Sequence, residues 1–117
     1  MDALCELVHS LASESAARRL TIPALVEVNL SGESSKSGVA PEELPALLAA
    51  YPDVRGLMTM PPYADDSEAS RPYFRRLREL AGEHGLGQLS MGTSQDYRVA
   101  VEEGATLIRL GSILFRG

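Results

Sequence analysis

Two stretches decide how this chain folds: Leu89-Ser90-Met91-Gly92-Thr93-Ser94 and, further on, Ile108-Arg109-Leu110-Gly111-Ser112. Each is a short apolar run that ends in glycine and serine, and each leads at once into a helix-like segment. A strand that turns through Gly and Ser into a helix leaves backbone N–H groups pointing outward at the positive end of the helix dipole. That arrangement binds phosphate. Two such corners in succession match the last two strand-to-helix corners of a parallel α/β barrel, where phosphate sites are frequent. In the first corner Ser90, Met91, Gly92 and Ser94 are candidate ligand-binding residues, with Ser94 read as both N-cap and phosphate ligand. In the second they are Gly111 and Ser112. Taken singly, either pattern is equally that of a plain capped turn; the two in succession point to a binding site.

Working outward, the rest of the chain repeats the unit. Glu6–Ser10 reads as a short strand and Glu14–Leu20 as a helix capped by Ser13. Ala24–Leu30 is the clearest strand, β-branched and apolar with Glu27 inside. A small polar loop, Ser31–Gly38, precedes a helix that opens at Pro41 and carries Leu44, Leu47, Leu48 and Tyr51 as an apolar stripe. Val54–Met60 is a second strong strand, ended by Pro61-Pro62. A longer helix runs from about Glu68 to His84, with Pro72 in its first turn, Phe74, Leu77, Leu80 and Ala81 on one face, and Gly85 and Gly87 as the stop. Gln88–Met91 is the next strand, Ser94–Glu103 the next helix, Thr106–Leu110 the last strand, and Ser112–Phe115 the start of a last helical turn. Strand–helix alternation at this pitch means a parallel sheet with right-handed crossovers. Five strands make either an open doubly wound sheet or part of a barrel. A complete barrel takes about 250 residues, so 117 residues would supply only its C-terminal portion.

Composition narrows the function. The chain is 44% hydrophobic and 23% charged, enough for one domain with a real core. A net charge of −5 argues against nucleic-acid binding, which needs a basic face. Arg71, Arg75, Arg76 and Arg78 are the only candidates for a basic patch. Beside Glu68, Glu79 and Glu83 they read as a solvated helix face. Cys5 is the single cysteine, so no internal disulfide forms, and no cysteine or histidine cluster suggests a metal. Neither a signal peptide nor a membrane-length apolar run is visible, so a cytoplasmic protein is the expectation.

Arg109 is the unusual residue. It alternates with Ile108 and Leu110 and so points to the opposite face, which in a barrel is the lumen and on an edge strand is solvent. A buried arginine is costly unless it is paired or used on a ligand. Glu27 is a candidate partner. Met58 and Met60 flank Thr59 at a strand end and read as packing against the core or a flat ligand ring. His9 reads as structural. Lys36, the only lysine, reads as an exposed amine of near-normal basicity in a polar loop.

These residues together resemble a known family. Val28-Asn29-Leu30-Ser31 with Glu33, Ser35-Lys36-Ser37-Gly38, Arg55-Gly56-Leu57-Met58-Thr59-Met60, Leu89–Ser94 with Asp96, and Ile108-Arg109-Leu110-Gly111 with Ile113 and Phe115 resemble the pyridoxal phosphate homeostasis protein family, in order and spacing over nearly the whole chain. The resemblance implies an alanine-racemase-like (β/α)₈ barrel without a second domain. It implies pyridoxal 5′-phosphate held as a Schiff base and buffered or delivered to PLP-dependent apo-enzymes, in a monomeric full-length protein. It implies phosphate contacts at Ser94, at the Ser90–Gly92 turn and at Gly111 and Ser112, Arg109 facing the pyridine nitrogen, and Met58 lining the ring. An arginine there disfavours a protonated ring and weakens the electron sink that carbanion chemistry needs.

Two departures stand out. The family's Schiff-base lysine belongs to an early strand that this chain does not contain, and Lys36 matches the Ser-Lys-x-Gly loop instead. His9-Ser10-Leu11-Ala12-Ser13 matches a His-Ser-Val-Asp-Ser pattern with Ala12 in place of the acid. The chain therefore reads as the family's C-terminal portion from about the fourth strand on, with an opened barrel prone to self-association. Two rival functions remain. An amino-acid racemase of the same fold would need a second domain with a catalytic tyrosine, of which Phe115-Arg116-Gly117 gives no sign. A phosphate-ligand module would have no link to pyridoxal.

Overall fold

The structure is a computed structural model and describes residues 23–32, 38–51 and 53–111. The expected first strand and helix, with His9, the Lys36 loop segment, Ser112 and the last helical turn, lie outside the described residues. Three parallel strands form one sheet: β1 (Ala24–Glu27), β2 (Val54–Met58) and β3 (Gln88–Ser90), in the order β1-β2-β3. Helix α1 (Leu44–Ala50) connects the first pair, α2 (Arg71–Glu83) the second, and α3 (Tyr97–Glu102) follows β3. Each strand pairs with its predecessor in sequence. That order winds in one direction, as a barrel requires, and carries no reversal of the doubly wound kind.

The strands are shorter than the sequence suggested. Ala24–Leu30 narrows to β1 plus a parallel bridge from Val28 to Val39, and Val54–Met60 ends as a regular strand at Met58, two residues before Pro61-Pro62, which have no N–H to continue it. Thr106–Leu110 is reduced to one bridge, Leu107 against Ser90. There the Thr106 hydroxyl takes a rung's place by accepting from Leu89 N–H (2.8 Å). β2 bulges between its pairings Val54 with Ala24 and Gly56 with Leu25, leaving Arg55 as the extra, exposed residue. A Cβ at Gly56 would stand 2.1 Å from the Gln88 carbonyl oxygen, so only glycine lets β2 and β3 approach here.

Register separates the two faces. Val26, Leu57 and Leu89 are paired across the sheet and buried beneath the helices. Leu44, Leu47 and Tyr51 from α1 and Phe74, Leu77, Leu80 and Ala81 from α2 complete the core, as their spacing predicts. Glu27, Met58 and Ser90 are paired on the opposite face, the inner face of a barrel. Leu25 and Leu107 share it and are 36% and 46% exposed.

The arginine face of α2 is solvated at Arg75, Arg76 and Arg78, as expected, but its main partner is one the local spacing did not offer. Arg76 is solvated and only loosely paired with Glu79 and Glu83 (3.7 Å each). Arg71 and its neighbours instead converge on Glu103, the buried C-cap of α3. Arg71 Nη1 lies 2.7 Å, Arg78 Nη1 3.2 Å and Arg75 Nε 3.3 Å from its carboxylate, and Arg71 also holds Glu68 (2.8 Å) and Glu102 (2.6 Å). An acid at a helix C-terminus opposes the dipole, and these cations offset it. The hydrogen bond from Arg71 is the main cause that holds the Glu103 carboxyl below the ordinary 4.5. Among the described residues no helix is long and apolar enough to cross a membrane, and no group of three or more His, Cys, Asp or Glu side chains could hold a metal.

Candidate functional site at the strand ends

The C-terminal ends of parallel strands converge where backbone ladders stop, which is where such sheets place their sites. Here the ladders stop at Glu27, Met58 and Ser90, and the bridge at Leu107 brings a fourth segment alongside.

The β3 corner is tightly built. Ser90 is buried and its carbonyl accepts from Thr59 N–H (3.2 Å). Met91 has its side chain in the core with no exposure, and its N–H donates to the Leu107 carbonyl (3.1 Å). Gly92 turns the chain at φ +103°, where a Cβ would lie 2.6 Å from Ala100 Cβ and 2.8 Å from Ile108 Cγ2. Glycine is required there on both counts.

Ser94 does not cap the following helix, contrary to expectation. The chain spends one more turn, so that α3 starts at Tyr97 and Asp96 takes the N-cap position. The buried Asp96 carboxylate is committed to the loop: Oδ1 accepts from Thr93 N–H (2.8 Å) and Oδ2 from the Ser70 hydroxyl (2.8 Å). Ser94 thereby turns toward the neighbouring segment, and its Oγ accepts from Gly111 N–H (3.1 Å). The two Gly/Ser corners that stand apart in sequence are thus in contact.

Arg109 lies between them. Its backbone N–H donates to the Gly92 carbonyl (2.9 Å). Its neighbour Ile108 packs near Gly92 beside Ala100 of α3, so alternation sends Arg109 to the inner face with Met58 and Ser90. Arg109 Nη2 donates to the Thr59 carbonyl (3.1 Å), not to the Glu27 carboxylate that the sequence suggested. Arg109 Nε is buried without a hydrogen-bond partner. An unpaired buried donor costs about 1–3 kcal/mol, and a ligand acceptor at this face would satisfy it.

Thr59 is the residue that sequence reading passed over. It is buried, its hydroxyl donates to the Val28 carbonyl (3.1 Å), and its own carbonyl receives Arg109. Its only sequence signal is a polar residue between two methionines at a strand end. Thr59 and Met60 also border a hollow between Pro61–Tyr63 and the 92–96 loop.

Comparison with known proteins bears on the family and the fold. The family model for the alanine racemase N-terminal domain matches residues 4–117. The chain is similar to the pyridoxal phosphate homeostasis protein of Aquifex aeolicus, 50% identical over 102 residues, covering 78% of this chain and 45% of that protein. It is similar to that of Pseudomonas aeruginosa, 44% identical over 124 residues, covering 92% and 54%. The structure is similar to PipY of Synechococcus elongatus PCC7942, solved without PLP (TM-score 0.79, 32% identity, 94% of this chain and 57% of PipY) and with PLP bound (TM-score 0.73, 32% identity, 97% and 56%). The chain spans about half the length of the curated relatives it matches. Its one-way parallel strands are therefore part of an α/β barrel, and the chain belongs to the alanine racemase N-terminal domain family.

Proposed function

We propose that this chain binds pyridoxal 5′-phosphate at the strand ends, as part of a cytoplasmic carrier or buffer of the cofactor without robust catalysis. The observation that carries the reading is the buried, unpartnered Nε of Arg109 beside the Ser94–Gly111 junction. The homeostasis names of the relatives and the PLP bound to PipY support it. The joined Ser94–Gly111 corner and the Ser90–Gly92 turn beside it are the proposed seat of the phosphate, reached when Gly111 N–H exchanges its bond to Ser94 Oγ for the ligand; Ser112, next in sequence, lies outside the described residues. Met58 lines one side of the ring from the inner face. Met91 shapes this corner without touching the ligand, since its side chain is in the core and its N–H is held by the Leu107 carbonyl.

Arg109 Nε donates to the pyridine nitrogen. A guanidinium does not surrender its proton, so the ring nitrogen stays unprotonated. The bound cofactor supplies a reactive aldehyde on an electron-withdrawing ring, and an unprotonated ring withdraws less strongly. This favours carriage over racemisation, with PLP-dependent apo-enzymes as recipients.

The test is a PLP titration of this chain followed by absorbance, before and after borohydride. Saturable spectral change that borohydride does not fix is the expected result, because the grip is non-covalent here. A reducible band would assign covalent capture to Lys36, the only lysine. No spectral change, with binding of inorganic phosphate retained, would overturn the cofactor and leave a phosphate module.

A further inference from the structure

We infer that Thr59 is the positioning residue for Arg109, and so sets the protonation state of the ring nitrogen. The inference rests on the cofactor reading above and deepens it. β2 leaves the sheet immediately after Met58, whose carbonyl accepts the last regular rung from Val28 N–H (2.8 Å). Beyond it come Met60, Pro61 and Pro62, and proline cannot donate a further rung. Thr59 is the residue just past the end of β2 that still ties it to its neighbours.

Every polar group of Thr59 is used, and each reaches a different segment. The N–H donates to Ser90 of β3 (3.2 Å). The hydroxyl donates to the Val28 carbonyl beyond β1 (3.1 Å). The carbonyl accepts from Arg109 Nη2 (3.1 Å). Thr59 is 2% exposed, so no water competes freely for these bonds. A guanidinium is a rigid plane, and anchoring one nitrogen orients the others only if the anchor is itself held. The Thr59 backbone and hydroxyl are held from both flanking segments, and the guanidinium they anchor has its Nε buried without a hydrogen-bond partner.

Thr59→Val keeps the side-chain shape and removes the hydroxyl donor, leaving the backbone carbonyl in place but tethered on one side only. We expect about fivefold weaker PLP binding, the worth of one ordinary hydrogen bond. The more telling readout is the pH titration of the bound cofactor's absorbance spectrum. With Arg109 loosened, the ring nitrogen accepts a proton more readily, so the transition moves to higher pH in T59V. Thr59→Ser, which retains the hydroxyl and loses only a methyl group, is expected to titrate like the unsubstituted chain. Thermal melts of each variant separate folding from positioning, because a packing role would not restore the titration in T59S.

T59V and the unsubstituted chain binding PLP with superposed titrations would overturn the role of Thr59 and leave the cofactor reading standing. A shift in T59S as large as in T59V would overturn it too. Failure of the unsubstituted chain to bind PLP would overturn both. If T59V does not fold, Thr59→Cys, a weaker donor of similar size, is expected to show a smaller shift in the same direction. No shift in T59C would likewise overturn the proposal.

Discussion

Arg71 and Arg109 are the same residue type put to opposite ends. Arg71, on the helical side, holds three carboxylates, Glu68, Glu102 and Glu103, through all three of its nitrogens. Arg109, on the inner face, has one carbonyl and a buried Nε with nothing to hold. The first arrangement spends its hydrogen bonds on joining α2 to α3. The second holds a donor in reserve at the strand ends. Satisfied polar clusters stabilise, whereas an unsatisfied buried donor costs stability unless something outside the chain meets it. Fold and site are thus distinguished by the completeness of their hydrogen bonding more than by the residues that build them.

The comparison can be broken or sharpened by substitution. The largest effect is expected at the turn that both regions share. Gly92→Ala places a methyl group 2.6 Å from Ala100 Cβ at φ +103°, and should cost about 3 kcal/mol or more in denaturant unfolding. A loss near zero would mean that the β3 corner relaxes freely and does not fix Ser94.

Next comes Glu103→Gln, which removes the carboxylate on which Arg71, Arg75 and Arg78 converge. It should lower Tm, by less than Gly92→Ala. Its pH dependence is the sharper signature. The Glu103 carboxyl is held low chiefly by the Arg71 hydrogen bond, so its folded-state value lies below the unfolded 4.5. The stability it contributes is complete above 4.5 and is lost as the pH falls through the lowered folded value. Tm measured across the acid range should therefore fall less steeply in the Gln variant. Equal slopes would remove Glu103 from the structural side of the comparison.

The smallest stability effect is expected at Arg109. Arg109→Met deletes an unpartnered buried donor along with its bond to Thr59, so Tm should stay level or rise, while PLP binding weakens about tenfold or more. A large drop in Tm with unchanged PLP binding would reverse the roles given to the two arginines.

Much of this was readable beforehand. The stripe Phe74, Leu77, Leu80 and Ala81 is buried as its period requires, and the strand cores around Val26, Leu57 and Leu89 follow from β-branched and apolar runs. Gly85 and Gly104 stop helices at positive φ. Local pattern misled at Ser94, because N-cap preference is a weak local signal and the Asp96 side chain, anchored by Ser70 from a distant segment, moved the helix start to Tyr97. On the arginine face it located the solvated charges but not Glu102 and Glu103, because helical spacing places charges around an axis and says nothing of what packs against them.

The sequence by itself determined the alternation of strand and helix, the two Gly/Ser corners and the chemical character of the residues at the strand ends. These depend on neighbours a few positions away and on backbone freedom that each residue carries with it. Only the tertiary structure decided that Ser94 meets Gly111, that Thr59 holds Arg109, and that Glu103 gathers three arginines. Those contacts join segments far apart in the chain, and their geometry comes from sheet register and helix docking, which no local pattern contains.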